Sequence, residues 1–330
     1  MKALVTGASG FIGGAVAQAL LRRGEHVRVL LRPGSSPNLA EPSQVEVVRG
    51  DLRDAQAVRE AAEGCEAIYH AGAVYSFAEA PAAVLAVNVG GTRNVLAAAR
   101  STGARLVYTS SIATVGGVRD GKLPDESSMP DGPPAGPYKQ SKREAEALVR
   151  EAARDGVDAV IVNPTFPVGS GDVKPTPTGA VIRDFLAGRM PAYVETGMNV
   201  VDVDDVAQGH LLAFDRGVRG ERYILGHGNR TMREFLEELA LVSGRRAPRL
   251  RLPHALALGI AHADAFVSGH LLHRAPRVPL EGVRTAREVM FADCRRAVRE
   301  LGLRQTPVRE ALEKAVRWFQ DGAGRKRSVS

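Results

Sequence analysis

Cysteine is scarce in this chain of 330 residues, which contains only Cys65 and Cys294. The two lie far apart in the sequence and do not have the spacing of metal ligands. The sequence therefore predicts no disulfide framework and no metal site. A chain of this kind suits a reducing compartment, so we expect a cytoplasmic protein.

Long apolar runs are also lacking. The first apolar run ends at Thr6 and Gly7 after five residues, which is too short for the core of a signal peptide. No later run approaches the roughly 20 apolar residues that a membrane-spanning helix needs. With 44% hydrophobic and 25% charged residues, the composition is that of a globular protein. We expect no membrane span.

Stretches of a single charge are rare, although the formal net charge is +7 and the isoelectric point is 9.7. Most basic residues alternate with acids, as they do over residues 142–146, and this is typical of a solvated surface. One basic run, Arg325-Lys326-Arg327, lies beside the C-terminus, where disorder is common. We expect a small-molecule substrate and no nucleic-acid partner.

What the sequence does contain is a regular alternation of strands and helices over its first 165 residues. The strands are short and almost continuously apolar, as strands buried on both faces are, and the helices between them are amphipathic. This order predicts an α/β fold of the Rossmann type, with a doubly wound parallel sheet. The predicted strands are residues 3–5, 27–31, 45–48, 67–69, 106–109 and 157–162, and the predicted helices are residues 11–22, 55–63, 84–100 and 138–154.

The alternation stops after Asn163-Pro164. Thr231 and Glu234 then form a capping-box signature ahead of a helix over residues 235–242, and a last helix is predicted over residues 307–319.

Two domains follow from this change of pattern. We expect residues 1–165, joined by residues 198–220, to form a dinucleotide-binding domain. We expect residues 166–197 and 221–330 to form a smaller, mostly helical substrate-binding lobe.

A glycine-rich loop joins the first strand to the first helix, with the sequence Thr6-Gly7-Ala8-Ser9-Gly10-Phe11-Ile12-Gly13-Gly14. Gly7 can form the tight turn, Gly10 lets the backbone approach a pyrophosphate, and Gly13 lets the helix pack closely on the strand. Unpaired N–H groups at the start of the helix then face the anion. Strand, loop and helix in this order predict a dinucleotide site that includes Ser9, Phe11 and Ile12.

Arg32 at the end of the second strand indicates which dinucleotide is preferred. Sites for NAD place an acid there to bind the ribose 2′-hydroxyl, whereas an arginine accommodates a 2′-phosphate. Here no acid is present, and the hydroxyls of Ser35 or Ser36 can assist Arg32. We predict NADP(H) rather than NAD(H), the alternative being that Arg32 is a surface residue.

Further candidates for cofactor binding follow the later strands. Asp51 can accept a hydrogen bond from the adenine amino group, although a role in a turn is an open alternative for it. The small residues after the fourth strand would let a ribose lie against the backbone. The remaining cofactor candidates are Leu52, Ala71, Gly72, Ala73, Thr109, Tyr138, Lys142, Pro164, Thr165 and Val168.

Tyr138 and Lys142 are four residues apart at the start of a predicted helix, so their side chains share one helix face. A free phenol has a pKa of about 10 and is a poor base at neutral pH. We expect the lysine cation to lower the pKa of the phenol, so that the pair can move a proton as hydride is transferred. At the end of the fifth strand, the hydroxyl of Ser110 or Ser111 can polarise a substrate carbonyl. The alternative is that both serines only satisfy backbone groups.

Several of these motifs together resemble the extended short-chain dehydrogenases/reductases of the NAD-dependent epimerase/dehydratase family. They match in order and spacing over essentially the whole chain. The motifs are the glycine loop, Thr109-Ser110-Ser111, Tyr138 with Lys142, Asn163-Pro164 and residues 201–206. The chain most resembles the dihydroflavonol-4-reductase-like branch. Residues 172–179 and 188–194 are similar to hopanoid-associated sugar epimerases.

The resemblance implies a catalytic site in which Ser111 polarises the substrate, Tyr138 transfers the proton and Lys142 assists, with Thr114 as a second candidate for the hydroxyl. Epimerases of this class often carry that hydroxyl one residue later, where this chain has Ile112. The resemblance also implies a homodimer formed through the helices 84–100 and 138–154.

The leading hypothesis for function is an NADPH-dependent carbonyl reductase with a bulky hydroxylated or isoprenoid-linked substrate. A sugar epimerase of hopanoid synthesis is the alternative, but we find no recognisable arginine clamp for a nucleotide phosphate. Arg183, Arg189 and Arg222 are expected at the surface. A non-catalytic NADP sensor is a third possibility, against which the pair Tyr138 and Lys142 argues.

Overall fold

The protein is described by a computed structural model that covers residues 1–75, 79–266, 268 and 280–321. The basic run Arg325-Lys326-Arg327 lies outside these residues. The strands are β1 (Lys2–Thr6), β2 (His26–Leu31), β3 (Glu46–Arg49), β4 (Ala67–His70), β5 (Arg105–Thr109), β6 (Ala159–Pro164), β7 (Phe166–Val168), β8 (Ala192–Val194), β9 (Gly197–Asp202), β10 (Arg222–Leu225), β11 (Gly228–Thr231), β12 (Leu250–Leu252) and β13 (Val289–Met290). The helices are α1 (Phe11–Arg22), α2 (Ala55–Ala62), α3 (Pro81–Leu85), α4 (Gly91–Thr102), α5 (Gly136–Arg154), α6 (Pro177–Leu186), α7 (Val203–Arg216), α8 (Met232–Ser243), α9 (His254–Phe266), α10 (Leu280–Thr285) and α11 (Val308–Gln320).

The main sheet has seven strands in the order β10-β6-β5-β4-β1-β2-β3, and every pair is parallel. Side chains alternate between its two faces. Val5 packs in one core cluster with residues of α1 and α7, whereas Leu4 packs in the other with residues of α2, α4 and α5. Both faces are therefore covered by helices, and the predicted Rossmann-type fold is confirmed.

The connection from β3 to β4 reverses the direction in which the sheet grows, because β2 and β3 lie on one side of β1 and β4 lies on the other. In a parallel sheet this reversal opens a crevice at the carboxyl ends of the central strands. The glycine loop after β1, the small residues after β4 and the serines after β5 all leave strands at this edge. The topology therefore brings the predicted site residues into one region.

Most elements begin and end close to their predicted bounds, and α1 spans residues 11–22 as the sequence predicted. The helix predicted over residues 84–100 begins earlier, at Pro81, and is interrupted by a π-helical turn over Ala86–Gly90 before α4. The capping box at Thr231 and Glu234 is present at the start of α8.

Strand β10 corrects one expected domain boundary. Residues 221–330 were assigned to the substrate lobe, but β10 pairs with β6 and forms the edge of the main sheet. The short segment Arg222–Leu225 was missed because its four buried residues carry no periodic signal of their own.

Outside the main sheet the described residues form two smaller sheets as well as helices. Strand β9 begins the segment 198–220 that was expected to join the dinucleotide-binding domain, but it pairs with β7, β11 and β13 rather than with the main sheet, and β8 pairs with β12. Helices α6, α8 and α11 and these strands enclose an apolar cluster around Phe185, Phe235 and Leu312.

One helical stretch of the described residues, Pro81–Thr102, is long and apolar enough to cross a membrane by length and composition alone. Half of its apolar window is buried inside the protein. Its second part, α4, packs against α2 and α5 on the main sheet. These contacts are those of a core helix.

Candidate active site

The glycine loop packs as closely as its sequence suggests. Gly7 has a φ of +77°, and a Cβ there would lie 2.6 Å from the nitrogen of Gly72. A Cβ on Gly13 would lie 2.3 Å from the carbonyl oxygen of Gly7, so α1 begins directly against the loop. Helix α1 lies wholly within the described residues, no side chain caps its start, and its first turn contains no acidic residue. Its N–H groups can therefore bind an anion, and the cradle fits a dinucleotide pyrophosphate.

The loop after β2 places Arg32 and Ser36 at the surface, where both are exposed. Arg49 lies beneath this turn, because its Nη1 donates to the carbonyl oxygens of Arg32, at 3.2 Å, and Ser35, at 2.5 Å. Asp51 is near the same turn. Its pKa is lowered, first by a hydrogen bond from Arg53 and also by the charge of Arg32. The exposed guanidinium of Arg32 and the exposed hydroxyl of Ser36 form a surface that can receive a phosphate.

A buried chain of hydrogen bonds fixes the loop after β4. Thr6 Oγ1 lies 2.7 Å from His70 Nδ1 and accepts from the nitrogen of Gly72 at 3.2 Å. A Cβ on Gly72 would lie 2.7 Å from Leu52 Cδ1. Burial lowers the pKa of His70 to about 3, so the ring is neutral. These contacts hold Ala71, Gly72 and Ala73 beside the glycine loop, as the sequence predicted for a ribose site.

Tyr138 and Ser111 come together at the mouth of the crevice. Tyr138 lies in the first turn of α5, and Ser111 follows β5. Burial raises the pKa of Tyr138 to about 12, and a hydrogen bond with the Ser111 side chain opposes this shift. The phenol is therefore neutral at pH 7 and can donate a proton.

The pKa of the phenol is raised and not lowered, so the expectation that Lys142 lowers it was wrong. The ammonium is buried, and its Nζ donates to the carbonyl oxygen of Thr109 at 2.9 Å. Burial lowers the pKa of Lys142 to about 8, while the charge of Glu146 opposes the shift. The backbone carbonyl holds the lysine beside the strand end, one turn along α5 from Tyr138.

The other two candidate hydroxyls are already engaged. Ser110 Oγ donates to Glu146 Oε2 at 2.5 Å, and Thr114 Oγ1 donates to the same oxygen at 2.6 Å. Asn163 Nδ2 also donates to this carboxylate, at 3.0 Å. By contrast, the Ser111 hydroxyl accepts from the Ala113 nitrogen and turns toward Tyr138. Of the three hydroxyls, Ser111 is the one whose contacts lie at the phenol.

Arg222 balances the Glu146 charge, with Nη1 3.1 Å from Oε1 and 2% of its side chain exposed. The expectation that Arg222 lies at the surface was therefore wrong. Arg183 and Arg189 are exposed as expected, and both pair with Asp184.

Tyr75 stacks on the catalytic candidate, with 4.2 Å between the ring centroids of Tyr75 and Tyr138. Its neighbour Val74 is held by Asn88, whose Oδ1 accepts from the Val74 nitrogen at 2.7 Å. Asn88 Nδ2 donates to Ser141 Oγ, and this hydroxyl donates to the carbonyl oxygen of Tyr138. The hydrogen bonds of Asn88 and Ser141 thus connect the loop after β4 to the start of α5.

The remaining cofactor candidates lie at the ends of β5, β6 and β7. Thr109 Oγ1 lies 2.8 Å from Nε2 of the buried His210. Thr165 is buried, and its nitrogen donates to the carbonyl oxygen of Leu225 at 3.1 Å. Pro164 ends β6, and Val168 is buried at the end of β7. All four therefore lie beside strand ends that border the crevice.

Sequence reasoning did not identify Tyr75, Arg49 or Glu146 as parts of the site. The sequence does indicate that Glu146 lies near the site, because it continues the four-residue spacing of Tyr138 and Lys142 along α5. The roles of the others depend on contacts between distant segments.

The model of the NAD dependent epimerase/dehydratase family matches residues 3–226. A protein of Synechocystis that carries a provisional dihydroflavonol 4-reductase name is 44% identical over 96% of this chain and 94% of its own length. Sterol demethylase protein B of Methylococcus capsulatus is 38% identical over 97% of this chain and 99% of its own. The crystal structure of gox2253 is 38% identical, with a TM-score of 0.83 over 98% of this chain and 99% of the other.

Proposed function

Because the chain belongs to the NAD-dependent epimerase/dehydratase family, we propose that it is an NADP(H)-dependent oxidoreductase that reduces a carbonyl with Ser111, Tyr138 and Lys142. The observation that carries this proposal is that Ser111 follows β5 and lies close enough to Tyr138 to affect the pKa of its phenol, at the edge of the sheet where the glycine loop opens. Enzymes of this family depend on NAD, and the glycine loop together with Ser111 and Tyr138 supports a site that holds a dinucleotide beside a proton donor.

Each residue has a role that follows from its surroundings. The nicotinamide, when bound, supplies the hydride. Ser111 donates a hydrogen bond to the substrate carbonyl and polarises it. Tyr138 then gives its proton to the oxygen, since a phenol with a pKa of about 12 is protonated at neutral pH. Lys142, held by the Thr109 carbonyl, stabilises the negative charge that remains on the phenol.

The choice of NADP(H) over NAD(H) rests on Arg32. Its guanidinium is exposed at the end of β2, and Arg49 holds the turn that carries it. Charge-assisted hydrogen bonds from an arginine suit a ribose 2′-phosphate. The exposed Ser36 is placed to assist.

The substrate class follows from the names of the relatives and from the aromatic lining. The relatives named above concern a dihydroflavonol and a sterol, both of which are bulky ring systems. Tyr75, with 47% of its surface exposed, offers a second ring beside the phenol of Tyr138. We therefore propose a bulky, largely apolar carbonyl compound, of the hydroxylated or isoprenoid-linked kind, as the substrate.

A sugar epimerase associated with hopanoid synthesis is the second candidate, since the family model includes epimerases. The residue after Ser111 is Ile112, which is 3% exposed and packs in an apolar cluster. It therefore brings no hydroxyl to the position that such epimerases often use. A non-catalytic NADP sensor is less well supported, because it has no use for Tyr138 and Lys142.

Product analysis separates the three functions. The protein is mixed with NADPH and a panel of ring ketones, and separately with nucleotide sugars. Loss of NADPH absorbance with formation of an equal amount of alcohol supports the reductase. Sugar inversion without net cofactor oxidation supports the epimerase, and cofactor binding with neither reaction supports the sensor.

We also propose a homodimer through α4 and α5. A surface groove between these helices is lined by apolar Leu96 and Leu148 together with Arg93, Arg100, Glu151 and Asp155, so that apolar and charged groups of both signs face outward together. Sedimentation of the wild type and of Leu148→Asp tests this, because a monomer in both samples would contradict it. The cytoplasmic location and the division into residues 1–165 with 203–225 and a separate substrate lobe are likewise proposals.

A further inference from the structure

The outer face of α9 is almost entirely apolar. Its exposed positions are Ala255, Leu256, Gly259, Ile260, His262, Ala263 and Phe266, and among them only His262 is polar. Leu256, Ile260 and Phe266 are 53%, 43% and 60% exposed. An apolar helix is normally buried on such a face. We call the six apolar positions of this set the α9 face.

The inner side of the helix already has its partners. Ala257 and Ala261 are buried in a small cluster with Val283 of α10. Asp264 lies on this inner side, one turn along from Ala261, and accepts from Ser268 Oγ at 3.1 Å. The α9 face lies on the opposite side of the helix from this cluster, its Leu256 and Ile260 side chains are largely exposed, and it carries no acidic residue.

Basic residues are concentrated in the same part of the chain. Residues 239–280 contain six arginines and one acid, Asp264, which gives a net charge of +5 out of +7 for the whole chain. Four of these arginines, Arg245, Arg246, Arg249 and Arg251, are exposed just before α9. We expected basic residues to alternate with acids, but here they are concentrated in one part of the chain. This positive charge lies next to the apolar face.

We propose that the α9 face and the four arginines before it dock the protein on an anionic membrane surface. An interfacial helix places apolar residues among the acyl chains while basic residues contact anionic headgroups. With 13 residues, α9 is too short to span a bilayer, for which about 20 residues are needed. The complementary charge favours a lipid surface over a second copy of this chain, whose own α9 region would be equally positive.

The docking surface lies on the substrate side of the protein, and this step rests on the proposed function. Arg251 of β12 and His254, the first residue of α9, line a surface pocket together with Val289 and Phe291. Glu288, next to Val289, pairs with Lys139, the neighbour of Tyr138, at 2.6 Å. A membrane-dissolved substrate would therefore meet the protein close to the lobe that leads to the catalytic helix.

Vesicle co-sedimentation tests the docking without any measurement of activity. The full chain is mixed with vesicles of phosphatidylglycerol or of phosphatidylcholine, at low and at high salt. We expect binding to the anionic vesicles that salt weakens, and little binding to phosphatidylcholine. Ile260→Glu, and separately Arg249→Glu with Arg251→Glu, should each weaken the binding at least about tenfold.

Matched controls separate this surface from the rest of the chain. Val218→Glu changes another exposed apolar residue, and Arg59→Glu another exposed arginine, and both should bind like the wild type. Replacing Arg325, Lys326 and Arg327 by serine shows what the C-terminal basic run contributes. Melting temperatures confirm that each variant folds.

Four outcomes would overturn the proposal. If the wild-type protein does not bind anionic vesicles, it has no such docking surface. If Ile260→Glu instead splits a dimer, the face is covered by a second copy of the chain. If Ile260→Glu lowers the melting temperature and the wild type does not bind vesicles, the chain itself covers the face. Equal loss of binding in the control variants would show a non-specific attraction. A failure of the reductase assay leaves this result unaffected, so the two proposals can fail separately.

Discussion

Glu146 and Arg222 form a buried ion pair, with 3.1 Å between Oε1 and Nη1 and at most 4% of either side chain exposed. The same carboxylate accepts from the hydroxyls of Ser110 and Thr114, on either side of Ser111. The pair thus joins β10, at the edge of the main sheet, to the loop that carries the candidate catalytic serine.

Removal of the Glu146 charge should therefore destabilise the protein. Glu146→Gln leaves Arg222 buried without a counter-charge, and we expect a loss of about 3 kcal/mol in the free energy of unfolding. Urea denaturation measures this, with Glu144→Gln, an exposed position of the same helix outside the proposed dimer groove, as the control. The double variant Glu146→Leu with Arg222→Met should recover part of the loss, since it leaves neither charge unpaired. Equal stability of Glu146→Gln and the control would contradict this account.

Acid should destabilise the protein through His210. Burial lowers the pKa of this ring to about 4, below its ordinary value of about 6.5. The unfolded chain therefore binds a proton between these values while the folded protein does not, so stability is lost as pH falls from 6.5 to 4. This single group should account for about 3 kcal/mol over that range.

Thermal unfolding of two variants over this pH range isolates the effect. His210→Gln should flatten the dependence on pH relative to the wild type. Thr109→Val removes the hydroxyl at 2.8 Å from the His210 ring but keeps the imidazole. It should therefore lower stability without changing the slope of stability against pH. If both variants keep the wild-type slope, His210 does not titrate as described.

Arg32→Ala should weaken NADPH binding and leave NADH binding almost unchanged. A hydrogen bond to a charged group is worth about 1.5–3 kcal/mol, so the preference for NADPH should fall about tenfold to a hundredfold. The ratio of the two dissociation constants measures this, with Arg59→Ala on α2 as the control. An unchanged ratio would remove Arg32 from the cofactor site.

Gly13→Ala should abolish dinucleotide binding. The added Cβ would lie 2.3 Å from the Gly7 carbonyl oxygen, and a backbone atom cannot move aside as a flexible side chain can. We expect a loss of stability of about 1–3 kcal/mol from the overpacking, and a distorted loop. Gly259→Ala on α9 has open space around its Cβ and serves as the control, which should gain up to about 1 kcal/mol of helix stability. Calorimetry measures NADPH binding to both variants. A Gly13→Ala variant that binds NADPH as tightly as the wild type would contradict the close approach of α1 to the glycine loop.

Local patterns predicted the part of the site that depends on short segments. The glycine loop, the Tyr138 and Lys142 spacing and the strand end at Ser111 are each contained within a few residues, and their periodicity or glycine content reveals them. The sheet followed because its strands are short, apolar and separated by amphipathic helices.

The contacts that the sequence did not reveal join distant segments. Arg222 is 76 residues from Glu146 and meets it only because β10 lies beside β6. Tyr75 stacks on Tyr138 because Asn88 and Ser141 tie its loop to α5. The pKa of Tyr138 was predicted in the wrong direction because burial, which depends on the full fold, outweighs the local spacing to Lys142.

The central claim is that the Tyr138 phenol donates the proton when hydride reaches the substrate. The most direct measurement is the single-turnover rate of NADPH oxidation by Tyr138→Phe, with the ketone that the product analysis identifies. We predict that the rate falls about a hundredfold to ten-thousandfold while NADPH binds as it does to the wild type. A variant that oxidises NADPH at the wild-type rate would contradict the account.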